Sequence, residues 1–293
     1  MAKKEYHEVR SENGISFACA IINTETGRPE VAIHPAEKVE GDVVVPAQVE
    51  IEGTSYPVTV IEENAFLRMG IKSVSIPDTI IKIEESAFYG CEHLREVYLG
   101  KSLRRIGDSA FEDCKWLIYM PMPDTVIQVG YHALEGTRLV ETQSGVIYLG
   151  HLLYGYNGYL PEHSYIEVRE GTTVIADSAF NSKFEHRYDC RNLEGVVLPA
   201  GIKRIGSSAF YMCRDLTHVN LPKSLEYIGG SAFNATNVRE VTVPWRSSAH
   251  IAKIGGGTFD DNTVIKVPKG MAEVYSKEDG WGDEWKHYQF IEK

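Results

Sequence analysis

Short stretches in which apolar and polar residues alternate recur along the chain and end on the same kind of residue. Leu193–Pro199 (LEGVVLP), Leu216–Pro222 (LTHVNLP), Val238–Pro244 (VREVTVP), Ile71–Pro77 (IKSVSIP), Leu117–Pro123 (LIYMPMP) and Leu94–Gly100 (LREVYLG) share the pattern Leu-x-x-Val-x-Leu-Pro. Alternation over about six positions predicts a half-buried strand. The proline that follows lacks an amide hydrogen and fixes its own φ, so hydrogen bonding stops at the same point each time.

A second landmark runs in step. The hexapeptide at Ile106–Phe111 (IGDSAF) returns at Ile205–Phe210 (IGSSAF) and Ile228–Phe233 (IGGSAF). Variants keep the frame at Ile61–Phe66, Ile83–Phe88, Val129–Leu134, Ile175–Phe180 and Ile254–Phe259. The gaps between first positions are 22, 23, 23, 46, 30, 23 and 26. A period of about 23 residues follows, with one degenerate rung inside the double gap. Each unit reads as a strand, a turn, a second short extended segment ending in Ile-Gly, a tight Ala-Phe turn and a return. One unit cannot bury its apolar residues alone. Stacked units place Leu over Leu and Phe over Phe about 4.8 Å apart, so roughly ten rungs predict a rod or shallow arc on the order of 45 Å long. Alanine before phenylalanine marks a crowded position, with the phenylalanine filling the core.

The full frame, Leu-x-x-Val-x-Leu-Pro-x-x-Leu-x-x-Ile-Gly-x-x-Ala-Phe-x-x-Cys-x-x-Leu, is clearest at Leu193–Leu216 and Leu216–Phe233. It resembles the BspA-like subgroup of leucine-rich repeats, over about Val43–Pro268. The resemblance implies a β-rich repeat solenoid, an arc of about ten rungs with short turns or helical turns on its convex side. Residues 1–57 are then an N-terminal β cap, 58–268 the solenoid with its degenerate rung at 135–170, and 269–293 a C-terminal cap. In that last part Val264–Gly270 reads as the final strand, and Met271–Lys277 with Trp281 and Trp285 as a capping helix and closing segment. The resemblance also implies a bacterial or protozoan surface protein, often secreted or anchored, of a family implicated in adhesion to host matrix proteins and other cells. The family shares no catalytic residues, so no enzyme is expected. Met1–His7 carries two lysines but no apolar core or cleavage site, so no signal peptide is read there, and a cytoplasmic location stays open.

Composition narrows the partners. With 41 acidic against 30 basic side chains and a formal charge of -11, the surface repels phosphates on average, which argues against nucleic acid. No apolar run reaches the roughly 18 residues needed to cross a bilayer. Length alone favours two domains, with a split near Gly136–Gly158 as the alternative. The same repeat on both sides of that stretch favours one solenoid.

Residues with chemistry in their side chains mostly fall into the repeat. Cys91, Cys114, Cys190 and Cys213 each stand three residues before a strand-starting leucine, and so read as buried free thiols. A bond between the stacked Cys91 and Cys114 is compatible with disulfide geometry, and Cys19 has no evident mate. No zinc signature occurs. His186, Asp189 and Cys190 sit in an insert at Asn181–Arg191, where an exposed loop is the simpler reading than a metal or enzyme site. Asp260-Asp261-Asn262 lacks the rest of a calcium loop. Gly255-Gly256-Gly257 is the hexapeptide with extra glycine and is not a phosphate loop. No cofactor is expected.

Partner contact is expected on the outward strand positions. Period-two alternation gives two columns, Ser73, Glu96, Tyr119, Gly195, His218 and Glu240, and Ser75, Tyr98, Pro121, Val197, Asn220 and Thr242. Their mix of aromatic, acidic and small side chains suits protein contact. A tyrosine cluster, Tyr148, Tyr154, Tyr156, Tyr159 and Tyr165, marks the degenerate rung, where the rings either pack or bind. The candidate binding residues are Glu96, Tyr98, Tyr119, Tyr154, Tyr156, His218 and Glu240. A glycan-binding module is the alternative, using Tyr154, Tyr156, Trp245, Trp281 and Trp285 as stacking faces.

Overall fold

Every repeat sends its two extended segments into two different parallel ladders, because the turn between them reverses the chain across the core. The computed structural model describes residues 4–23, 27–181, 190–276 and 285–293. The chain winds as a β-solenoid of about ten turns and divides into two units, Met1–Gln143 and Ser144–Lys293.

In the first unit β1 (His7–Arg10), β2 (Ser16–Asn23) and β3 (Pro29–Pro35) form an antiparallel meander. β4 (Glu40–Val44) starts one ladder, and β5 (Gln48–Ile51) turns back on β6 (Thr54–Ile61). β7 (Gly70–Ser75), β8 (Lys82–Ile83), β9 (Glu96–Tyr98), β10 (Arg105–Ile106) and β11 (Gln128–Val129) follow, before the short helix α1 (Arg138–Glu141). One ladder runs β3-β6-β8-β10-β11, and the other β4-β7-β9, extended by a bridge from Glu96 to Tyr119.

The second unit repeats the plan. β12 (Gly145–Leu149) and β13 (Leu152–Asn157) are an antiparallel hairpin, and β14 (Ser164–Glu167) and β15 (Val174–Ile175) open the two ladders. β16 (Leu193–Val197), β17 (Arg204–Ile205), β18 (His218–Val219), β19 (Tyr227–Ile228), β20 (Glu240–Thr242) and β21 (Lys253–Ile254) continue them, and β22 (Val264–Val267), α2 (Ala272–Ser276) and β23 (Gln289–Glu292) close the unit. The degenerate rung takes the form of the hairpin: Leu152 and Leu153 stand beside Val174 and Ile175 in the place of an Ile-Gly segment. The final strand is β23, which pairs in parallel with β22, so Val264–Val267 is the last strand but one.

The core is a stack of identical side chains. Phe66, Phe88 and Phe111 lie face over face at 4.8 and 4.9 Å, and Phe180, Phe210, Phe233 and Phe259 at 5.0 to 5.3 Å. The amide of Phe88 donates to the Ala110 carbonyl (2.8 Å), and that of Phe210 to Ala232 (2.8 Å). Ala87, Ala110, Ala209 and Ala232 are fully buried, and a larger side chain would overpack the core, so the position before phenylalanine stays small. The serine two residues before it has a separate cause. Asn64, Ser86, Ser109, His132, Ser178, Ser208 and Ser231 all lie at φ between 52° and 57°, a left-handed conformation that short polar side chains tolerate best after glycine.

The cysteine reading needs one correction. Cys190 and Cys213 are joined by a disulfide with Cα atoms 5.0 Å apart, because stacking sets equivalent positions at a spacing within the 4.4–6.8 Å range a disulfide accepts. Cys19, Cys91 and Cys114 are free and buried. At the C-terminal end Trp285 packs against Tyr275 (5.6 Å) and donates its indole N–H to the Ala252 carbonyl (3.0 Å). His186, Asp189, Lys277 and Trp281 lie outside the described residues.

Candidate protein-binding face

Register decides which outward residues meet. In the first unit Asp42, Ser73, Glu96 and Tyr119 form one file, and Val44, Ser75 and Tyr98 the next. The expected column Ser73, Glu96, Tyr119 is therefore a physical row of neighbours. The Tyr98 and Tyr119 rings stand 5.6 Å apart, both about half exposed. The Tyr98 hydroxyl donates to Glu96 Oε2 (2.6 Å), and that bond pushes the phenol's pKa up.

Two exposed residues beside this file escaped the sequence reading. Ile118 and Trp116 flank the buried Leu117 with 56% and 50% of their surface open. The indole lies under two guanidinium groups, Arg138 at 5.0 Å and Arg95 at 6.0 Å. The signal was present: LIYMPMP places isoleucine where the pattern elsewhere places a polar residue. The result is an exposed aromatic and aliphatic surface, and a cleft of about 930 Å³ in the same unit lies elsewhere, lined by residues such as Val9, Phe17, Pro46 and Val49.

In the second unit Tyr165, Gly195 and His218 form a file, with Glu167 beside Val197. Gly195 leaves room for its neighbour: a Cβ there would sit 2.5 Å from Tyr165 Cε1, and the ring that fills this space is 56% exposed. Glu194 accepts from Tyr165 and from His163 Nδ1 (3.0 Å), and these bonds hold its carboxyl below the usual range. His218 is exposed and shares a hydrogen bond with Thr217 (2.6 Å). Glu240, paired with Lys266, belongs to the separate ladder β20-β22-β23, so it does not continue the His218 file.

Tyr154 and Tyr156 stand on β13, in the other ladder, and both are half-buried. Tyr156 packs 6.5 Å from Phe180 and donates its hydroxyl to the Tyr159 carbonyl (3.3 Å). The open tyrosines of that cluster are Tyr159, 70% exposed, and Tyr165. Trp245 and Trp285 are buried, so they offer no stacking face to a sugar: both indoles fill the core beneath the C-terminal segment. Among the described residues no group of three or more His, Cys, Asp or Glu side chains is arranged to hold a metal ion. No helix among them is long and apolar enough to cross a membrane.

A family model described as the BspA type leucine rich repeat region matches residues 48–160 and 173–276 in six copies. The chain belongs to that family. Its repeats are a scaffold type associated with protein interaction in bacterial surface proteins, and no catalytic family is indicated. Among solved structures, a leucine-rich repeat protein from Bacteroides ovatus is 20% identical, covering 100% of this chain and 78% of its own, with a TM-score of 0.39. A leucine rich cell surface protein from Faecalibacterium prausnitzii is also 20% identical, over 89% of this chain and 70% of its own (TM-score 0.43). A leucine-rich repeat protein from Bacteroides capillosus is 28% identical over 46% of this chain and 94% of its own (TM-score 0.39). No curated protein matches.

Proposed function

We propose that this chain is a non-enzymatic protein-interaction and adhesion module that works at the cell surface or as a secreted protein, and that it presents its exposed ladder faces to a protein partner. The observation that carries the reading is the surface of Tyr98, Tyr119 and Ile118 on a hydrogen-bonded ladder and Trp116 in the adjoining turn, each about half exposed. Large exposed apolar groups held rigidly have little entropy to lose on binding, and aromatic residues of this kind dominate contact energies. Family membership points the same way, and the Cys190–Cys213 disulfide favours an oxidising compartment outside the cytosol. The expected partner is a host matrix or cell-surface protein.

Surface plasmon resonance against immobilised matrix and cell-surface proteins tests this. Tyr98→Ala with Tyr119→Ala should weaken a detected interaction by roughly 30-fold or more, the effect of about 2 kcal/mol at a hot spot. Undiminished binding would remove this face from the proposal, and binding to none of the proteins would remove the function.

A glycan-binding module is the second reading, favoured by Tyr165, which stands exposed beside Gly195. Hits on a glycan array that vanish in Tyr165→Ala, with matrix proteins unbound, would establish it over the first.

A further inference from the structure

The two disulfide-bonded cysteines have a counterpart pair in the first unit. Cys190 and Cys213 are 23 residues apart, and Cys91 and Cys114, in the same place of the repeat frame, are separated identically. The later cysteine of each pair also has matching surroundings. The Cys213 sulfur lies 3.5 Å from the Phe180 carbonyl oxygen of the preceding rung, and the Cys114 thiol donates to the equivalent Phe88 carbonyl (3.1 Å). The Cys91 thiol donates in turn to Phe66 (3.0 Å). The rungs carrying Cys91 and Cys114 are tied on both sides of the pair, by Gly90 N–H to the Glu112 carbonyl (2.8 Å) and by Ile118 N–H to that of Arg95 (3.0 Å). The stacked Phe88 and Phe111 set the local spacing at 4.9 Å, inside the Cα range that a disulfide spans.

We infer that Cys91 and Cys114 are a second cross-rung disulfide site, closed by exchange with a small-molecule disulfide. One of the two thiolates attacks the small disulfide, forming a mixed disulfide and releasing one small thiol. The other protein thiol then loses its proton, displaces the second small thiol and completes the bond. Both cysteines are oxidised, the small disulfide is reduced to two thiols, and the two protons end on those products.

The reduced pair is slow to react. Both sulfurs are fully buried, and burial pushes the Cys114 thiol well up, with Cys91 beside it adding to the shift. Thiolate is therefore scarce and enclosed, and exchange proceeds when a rung opens. Cys19, buried in the first meander with its thiol pushed up to about 11 mainly by burial, has no stacked partner and serves as an internal control.

The test incubates the full chain with oxidised glutathione, at increasing temperature below the melt. Remaining thiols are then alkylated in denaturant and the peptides mapped by mass spectrometry. The expected result is loss of two of the three free thiols, a Cys91–Cys114 linked peptide, alkylated Cys19, and a melting temperature above that of the starting protein. In Cys91→Ser the first step has no resolving partner, so Cys114 should stop as the glutathione mixed disulfide or stay alkylatable. Three alkylatable thiols in the wild type after long incubation would overturn the proposal. So would a stable mixed disulfide on wild-type Cys114, or a bond that includes Cys19.

Discussion

At Ser208 a side chain is held at φ 53°, and the same strain recurs at Asn64, Ser86, Ser109, His132, Ser178 and Ser231, while Gly257 takes that position in the hexapeptide Ile254–Phe259. A β-branched replacement cannot relax it. Ser208→Val should lower stability by more than about 1 kcal/mol, and Ser208→Gly should leave it unchanged or higher, as read from urea denaturation midpoints. Glu62 occupies the glycine position of the first hexapeptide and is a different residue-scale device. It is almost fully buried, and it accepts from Lys4, Tyr6 (3.1 Å) and His34 Nδ1 (2.7 Å). Burial alone would raise its pKa, but bonds from Lys4 and His34 and the charge of Lys4 outweigh this and hold it below 4.5. A depressed carboxylate contributes stability above its unfolded pKa that is lost as pH falls through the folded value. Wild type should thus melt above Glu62→Gln at pH 7, with the difference shrinking below about pH 4.5. A pH-independent difference would show that charge has no part in it.

Among the elements, the phenylalanine stack and the cross-rung disulfide hold successive strands together. Phe111→Ala and Phe210→Ala each delete a fully buried ring, Phe111 stacked on Phe88 and Phe210 stacked between Phe180 and Phe233. Each should cost about 3 to 5 kcal/mol by chemical denaturation. Reducing Cys190–Cys213, or replacing Cys213 by Ser, should cost about 2 to 5 kcal/mol and lower the melting temperature. An unchanged melt would mean that the rungs need no cross-link. Each unit also begins with antiparallel strands, β1-β2-β3 in one and β12-β13 in the other, before its ladder turns parallel. The repeat pattern pointed to a degenerate rung, but it carried no sign that the rung would be a hairpin. Val146–Tyr156 has no fixed period-two frame, and pairing direction comes from the turn at Gly150 and His151.

For the whole molecule, two periodicities were enough to reach the solenoid. A 23-residue spacing has only one economical way to bury Leu, Ile and Phe, which is to stack like on like. The outward column of the first unit was legible for the same reason: register in a stacked ladder repeats the sequence frame, so Ser73, Glu96 and Tyr119 had to be neighbours. That logic has limits: His218 and Glu240 belong to different ladders, although the Asn237 N–H donates to the Leu216 carbonyl between their rungs (3.0 Å), and Tyr154 and Tyr156 sit on a strand of the other sheet. The double variant Tyr154→Ser with Tyr156→Ser should lower the melt and leave partner binding through Tyr98 and Tyr119 intact.

By itself the sequence determined the repeat, the strands, the identity of the core and the absence of a familiar catalytic motif, because these follow from spacing and polarity along one dimension. Tertiary structure alone decided what depends on neighbours in space. It buried Trp245 and Trp285, whose rings pack against each other in the core. It set Tyr165 beside Gly195, exposed Trp116 and Ile118, and brought Cys190 within bonding distance of Cys213. The insert at Asn181–Arg191 sets Cys190 apart in the sequence, but only the fold shows which sulfurs stand close enough to bond.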